Sequence, residues 1–283
     1  MNRSRFSRSL SLLFTTFGLS LLAMTGCADI SSFEEDELSS ANKILGGENG
    51  QASPWMVSLR ENGDHNCGGT LIKRNWVLTA AHCVDTSSAR SLSVCVGRTK
   101  LSQCRRQDVA QVEEIKIHPN WNGDLSRGHD IALLRLNRNF NQARTVRLAS
   151  PRHEPRSGDM VTASGWGVFS YRGGERRFPD RIQEIDVPYV PSDDCRKQWG
   201  DAGVRIPRGP SNKLVCTETF GTPGYSTLAG TCHGDSGGPL TSKGRQIGIS
   251  SFVPAINGVC VAGAPSSFTR VSKFVRWIEA NAR

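Results

Sequence analysis

Short apolar runs recur along this chain from Ile44 onward, at residues 55–59, 76–81, 131–136 and 246–253, with Gly, Pro and Asn between them. That pattern predicts many short β-strands joined by turns. Residues 112–117, Val-Glu-Glu-Ile-Lys-Ile, read as a further strand with mixed faces. The end of the chain differs. Val271, Phe274, Val275, Ile278 and Ala282 fall on one face of a helix, which is expected to pack its apolar stripe on the outside of a β domain. No repeat of fixed period is present. The expectation is an all-β body with one terminal amphipathic helix.

The segment before Ile44 is of another kind. Arg3, Arg5 and Arg8 precede an apolar stretch over residues 10–24, followed by the small residues Thr25 and Gly26. Residues 1–26 therefore read as an export signal peptide. The stretch is short for a membrane span, which needs roughly 20 apolar residues; a signal-anchor helix is the alternative. Met24-Thr25-Gly26-Cys27 resembles the lipobox of bacterial lipoproteins, in which the cysteine is acylated, with Met24 where Leu is usual. That resemblance implies membrane anchoring through Cys27, the alternative being a soluble secreted protein. Residues 27–43 carry serines and the acidic run Glu34-Glu35-Asp36-Glu37, offer little to bury, and read as a propeptide or linker.

Composition narrows the class. The 283 residues suffice for a large core, and 37% hydrophobic with 22% charged is ordinary for a folded protein. The net charge is +9, residues 44–283 carrying +10 against a slight negative balance before them. It keeps the surface solvated or draws acidic partners; no nucleic-acid recognition motif accompanies it, so nucleic-acid binding is not expected. Of nine cysteines, removing Cys27 leaves an even set, as disulfides in an oxidising compartment require. No CxxC or close Cys/His spacing suggests zinc, and neither metal nor cofactor is expected.

Three segments carry candidate chemistry. Thr79-Ala80-Ala81-His82-Cys83 follows an apolar run, His129-Asp130 opens another, and Gly234-Asp235-Ser236-Gly237-Gly238-Pro239 comes last. Each alone has a bland reading: a packed histidine, a strand cap, a turn. Together they have the parts of an activated nucleophile. A serine hydroxyl attacks well only when a base takes its proton, histidine can do so near neutral pH, and a buried carboxylate fixes the histidine tautomer.

In this order and with these flanks, the three segments resemble the trypsin/chymotrypsin family of serine proteases, over about residues 44–283. The resemblance implies two six-stranded antiparallel β-barrels with the active site between them. It assigns Ser236 as nucleophile, His82 as general base and acid, Asp130 as orienter, and the backbone N–H groups of Gly234 and Ser236 as the oxyanion hole. Ser164-Gly165-Trp166-Gly167 resembles the family's mid-chain Gly-Trp segment. The resemblance pairs Cys67 with Cys83, Cys232 with Cys260, and Cys195 with Cys216; Cys95 and Cys104 have no counterpart and are left to pair with each other. Basic residues (Arg98, Lys100, Arg105 and Arg106) stand where the family's calcium loop carries acids, so no calcium site is expected.

Lys43-Ile44-Leu45-Gly46-Gly47 resembles the family's activation site. Cleavage after Lys43 would free the Ile44 amine to pair with Asp235. The pocket residues that the resemblance implies are Gly230, Thr231, Ser251, Phe252, Val253 and Ser266. Gly230 stands where trypsin-like enzymes place Asp, and Ser251-Phe252-Val253 resembles the elastase wall. A small or medium apolar residue before the cut is expected, with Arg/Lys specificity as the alternative. An enzyme of that taste would not cut efficiently after Lys43, so a separate trypsin-like protease is the expected activator. Arg172, Arg176, Arg177 and Arg181 are read as an exposed loop or a dock for acidic substrates. A monomer is expected, and a non-catalytic binding protein on the same fold is the competing class.

Overall fold

The computed structural model describes residues 47–168, 170–172, 175–201, 212–218, 230–253, 255–256, 259–260 and 265–283. The predicted signal peptide, Cys27, Lys43 and Ile44 lie outside them.

Two closed barrels make up the body. The first contains β1 (Met56–Glu61), β2 (Asp64–Lys73), β3 (Trp76–Thr79), β4 (Leu92–Val96), β5 (Val109–Ile117) and β6 (Ala132–Leu136). They close in the order β1-β2-β3-β6-β5-β4, every neighbour antiparallel. The second contains β7 (Met160–Gly165), β8 (Gln183–Val190), β9 (Leu214–Thr217), β10 (Pro239–Ser242), β11 (Arg245–Phe252) and β12 (Ser266–Arg270). Its order is β7-β8-β9-β12-β11-β10, closed by the β10–β7 pairing. The two barrels thus share one strand order although no sequence repeat announces it.

The strands follow the apolar runs. β3, Trp-Val-Leu-Thr, is buried on both faces, and β6 is buried apart from a partly covered Arg135. β5 begins with alternation, Ala110 and Val112 inward and Gln111 and Glu113 outward, as a half-exposed strand must. Register shifts at Leu59/Arg60, Leu71/Lys73, Val112/Glu114, Leu240/Thr241 and Ser250/Phe252 supply the local bending that closure needs.

The terminal helix, α2 (Val275–Asn281), follows a 3₁₀ turn over Val271–Lys273 and is shorter than its apolar periodicity. Val271, Phe274, Ile278 and Ala282 are buried against the core of the first barrel, although the chain reaches them from the second. Lys116 Nζ donates to the Asn281 carbonyl at 3.0 Å, and Trp76 Nε1 to that of Arg283 at 3.2 Å. A second helix, α1 (Ser192–Asp201), is absent from the sequence expectation. Its apolar face rests on Cys195 and Trp199 alone, buried with Val190 and Cys216, too few positions to show a period. Between the barrels, Thr70 Oγ1 donates to Gln246 Oε1 at 2.7 Å, both residues fully buried.

Disulfide bonds join Cys67 to Cys83, Cys95 to Cys104, Cys195 to Cys216 and Cys232 to Cys260. The first ties β2 to the turn that carries His82.

Candidate active site

Neighbouring strands bring His82 and Asp130 together. β3 and β6 pair antiparallel with Thr79 opposite Ala132, so the end of β3 and the start of β6 lie at one rim of the first barrel. The chain leaves β3 through Ala80 into a 3₁₀ turn over Ala81–Cys83; Asp130 stands just before β6. Asp130 is fully buried, and its Oδ2 lies 2.7 Å from His82 Nδ1. Its Oδ1 accepts from the His82 backbone N–H at 2.9 Å. These two contacts fix both the ring and the turn that holds it.

The second barrel completes the hold. Ser251 donates from Oγ to Asp130 Oδ2 at 2.6 Å, and Thr269 Oγ1 donates to the Asp130 carbonyl at 2.9 Å. Ser251 is the extra residue of the β11 bulge, between the paired Ser250 and Phe252, and a bulge re-aims a side chain in this way. Sequence reasoning placed Ser251 in the pocket wall. It does line the cleft, but its hydroxyl also serves Asp130, and no local pattern announced Thr269 in that role.

Burial of His82 opposes its protonation, but the hydrogen bond and charge of Asp130, with Asp85 beyond, outweigh it and raise the pKa above 6.5. The ring is 28% exposed, so its free edge remains reachable.

Ser236 precedes β10, which pairs with β11. His82, Ser236, Thr231, Ser251, Phe252 and Val253 all line one cavity of about 220 Å³. The surrounding loop is stitched to both barrels: Gly68 N–H donates to the Ser236 carbonyl at 2.7 Å, Gly237 N–H to that of Ser250 at 2.7 Å, and Ser250 N–H to that of Gly238 at 2.8 Å. Gly237 has a left-handed φ of 77°, and a Cβ there would meet Thr79 Oγ1 at 2.2 Å and the Gly68 carbonyl at 2.5 Å. Gly234 has φ 93°, with Phe178 beside it. These glycines are therefore demanded by geometry. Among the described residues the N–H groups of Gly234 and Ser236 have no hydrogen-bond partner.

Asp235, between them, turns inward and is 1% exposed. Its Oδ1 accepts from the Gly167 N–H at 2.7 Å and its Oδ2 from the Cys232 N–H at 3.0 Å. A Cβ on Gly165 or Gly167 would lie 2.1 or 2.3 Å from the carboxyl group, which explains the glycines flanking Trp166. Burial raises the Asp235 pKa to about 6, the two amides offsetting part of that rise. His65, which the sequence reading passed over, spans the same region. Its Nε2 meets the Gly234 carbonyl at 3.1 Å and its Nδ1 the Ser58 hydroxyl at 2.9 Å. Burial holds its pKa down at about 4, Arg60 adding to the fall and the Gly234 contact opposing it.

Gly230 and Ser266 are buried without reaching the cavity lining; Ser266 Oγ accepts from the Thr231 N–H at 3.2 Å. Thr231 Oγ1 is buried with no partner among the described residues. Among the described residues the lining contains no carboxylate, and along the chain Asp235 is the only acid between Glu218 and Glu279. Elsewhere, Arg98 pairs with Asp108 at 2.5 Å, Arg176 and Arg177 are exposed, and Arg181 Nε donates to the Gly50 carbonyl at 3.2 Å.

Twin barrels with a serine, a histidine and a buried aspartate at their junction define a serine endopeptidase. The chain belongs to the trypsin family: the family model described as Trypsin matches residues 44–278. It is 34% identical over 260 residues to proproteinase E of Bos taurus, covering 84% of this chain and 94% of the relative. It is 35% identical over 263 residues to human chymotrypsin-like elastase family member 3B, covering 84% and 88%. Among solved structures it is similar to neuropsin, a serine protease expressed in the limbic system of mouse brain. That match has a TM-score of 0.68 and 28% identity, covering 84% of this chain and 99% of the other.

Proposed function

We propose that the chain is an exported zymogen whose mature form, residues 44–283, cleaves proteins after small or medium apolar residues. The observation that carries the catalytic reading is Asp130, fully buried and holding His82 through its backbone N–H and ring Nδ1, with His82 and Ser236 lining one cavity. In this reading His82, kept in the tautomer that leaves its outer nitrogen free, takes the Ser236 proton as the hydroxyl attacks the substrate carbonyl. The unpartnered Gly234 and Ser236 N–H groups stabilise the oxyanion, losing one such donor typically costing about 3–4 kcal/mol. His82 then returns the proton to the leaving amine, and water hydrolyses the acyl-enzyme by the same route.

The specificity reading rests on the missing carboxylate. A buried Lys or Arg side chain needs a counter-charge, and Asp235, the one acid in this part of the chain, is held by two backbone amides. Phe252 and Val253 supply an apolar wall instead. The test is cleavage of matched peptides differing only in Ala, Val, Leu, Phe, Arg or Lys before the cut, by protein beginning at Ile44, with Ser236→Ala as control. Ala or Val should lead; because one methylene in such pockets is worth roughly 1–3 kcal/mol, the preference should be graded. Arg or Lys leading would overturn the pocket reading. Cleavage of none, with no labelling of Ser236 by a fluorophosphonate, would favour the binding-protein class.

Residues 1–26 are the signal in this reading and residues 27–43 the propeptide, with a separate trypsin-like protease cutting after Lys43. Disulfides support an oxidising compartment. Cys27 is the acylation site, and the mature enzyme is a monomer. Cys27→Ala should move the precursor from the membrane to the soluble fraction; an unchanged distribution would remove the lipid anchor from this picture.

A further inference from the structure

Apart from the active site lies a broad open groove of about 1310 Å³ that shares no described lining residue with the active-site cavity. It takes six cations: Lys73 and Arg74 from the end of β2 and the turn after it, Arg144 and Arg147 from the segment linking the barrels, and Lys243 and Arg245 from the β10–β11 turn and the start of β11. Among the described residues no acidic side chain lines it and none of the six makes an ion pair. All but Arg245 are exposed.

Two features show that this charge is placed against local preference. Residues 147–148 run parallel to β11 with Arg147 directly opposite Arg245, and like charges facing across strands repel. At the turn Lys243 and Gly244 both have left-handed φ, 49° and 70°. Asn, Asp or Gly is the unstrained choice at the first of these positions; here a lysine occupies it and extends the charged rim. Such concentrated, unneutralised charge draws a ligand carrying several anions.

We propose that this groove binds an acidic polysaccharide, a hydroxyl-rich chain bearing carboxylate or sulfate groups. The cations come from three separated segments, which suits charges repeated along a polymer more than a single anion. Between them stand Asn75, Asn139 and Asn141, amides that both donate to and accept from hydroxyls. The half-buried Trp55 adds one aromatic face. A single indole is a platform for a sugar ring and falls short of the succession of stacking faces that a nucleic-acid strand uses. Binding there leaves the catalytic cavity open, so the groove would hold the protease on an acidic matrix while it works.

The test is calorimetric titration of the protein with dextran sulfate, polygalacturonate, neutral dextran, poly-glutamate and single-stranded DNA. One or both of the anionic glycans should bind, neutral dextran should not, and affinity should fall about tenfold or more between 50 and 200 mM salt, as several released counterions require. Arg74→Glu with Lys243→Glu should weaken glycan binding about tenfold or more; the equally charged control Arg90→Glu with Lys197→Glu, away from the groove, should change it less than about threefold. Both variants should hydrolyse small peptides as the parent does. If the groove variant misfolds, Arg144→Glu alone, on the exposed linking segment, provides the reading. Absence of anionic-glycan binding, equal weakening by the control, or tighter binding of poly-glutamate or DNA would each overturn the proposal.

Discussion

Exchanging Asp130 for asparagine should lower kcat about 10⁴-fold at neutral pH, with KM little changed. The carboxylate has three donors around it: the His82 backbone N–H on Oδ1, and the His82 ring and the Ser251 hydroxyl on Oδ2. An amide of the same shape can keep its oxygen on the backbone N–H only by presenting NH₂ to the ring. Nδ1 must then accept, the ring proton moves to Nε2, and the atom facing the cleft can no longer take a proton from Ser236. The packing survives while the tautomer is wrong, so substrate should still bind. The pH dependence follows the same contact. Asp130 raises the His82 pKa above 6.5, and catalysis needs the neutral ring, so activity should fall as pH drops through that raised value. The stability contribution has the opposite sign. The fold favours protonated His82, so the pair's contribution is full below the unfolded value of 6.5 and fades as pH rises through the folded one. Kinetic pH profiles of parent and variant check both statements. A loss below about tenfold, with the acid limb unmoved, would show that Asp130 does not set the tautomer.

What could be read in advance divides along physical lines. The strand-rich body was legible because barrels buried on their inner faces write short apolar runs into the chain, β3 and β6 most clearly. The helix was legible from five positions of one face, although its first turn tightens to 3₁₀. Helix α1 was not, because a helix docked by Cys195 and Trp199 shows no stripe. His82, Asp130 and Ser236 stood out because their segments have unusual local composition: the glycines around Ser236 answer close backbone approaches within six residues of one another. Ser251, Thr269 and His65 were illegible in these roles. Each is an ordinary polar residue within a strand, given its task by a bulge or a cross-barrel contact between positions more than a hundred residues apart. The groove of cations was hidden for the same reason. The positive balance was plain, but its concentration depends on three segments distant in sequence meeting.

Asp235→Asn in the protein beginning at Ile44 should reduce kcat/KM a hundredfold or more, and should leave little difference between precursor and mature form. The carboxyl is buried, held by two neutral N–H groups, and has no cation among the described residues. Its pKa, raised to about 6, says that an ionised carboxylate sits there at neutral pH against its preference. The sign is clear: with no counter-charge, the fold is favoured at low pH, and that advantage is lost as pH rises from the unfolded value of 3.8 through about 6. An ammonium delivered to this site reverses the balance. The proposed cleavage after Lys43 would create one at Ile44. Removing one partner of a buried pair typically costs about 3–5 kcal/mol, and about 1.4 kcal/mol is tenfold in rate, whence the expected loss. Lys43→Gln should accordingly leave a precursor that added trypsin-like protease cannot activate. Mature activity should also fade at alkaline pH, since a free α-amine titrates near 8 and the paired one higher. A mature Asp235→Asn protein as active as its parent, or a fully active Lys43→Gln precursor, would separate the buried carboxylate from activation and leave its burial unexplained.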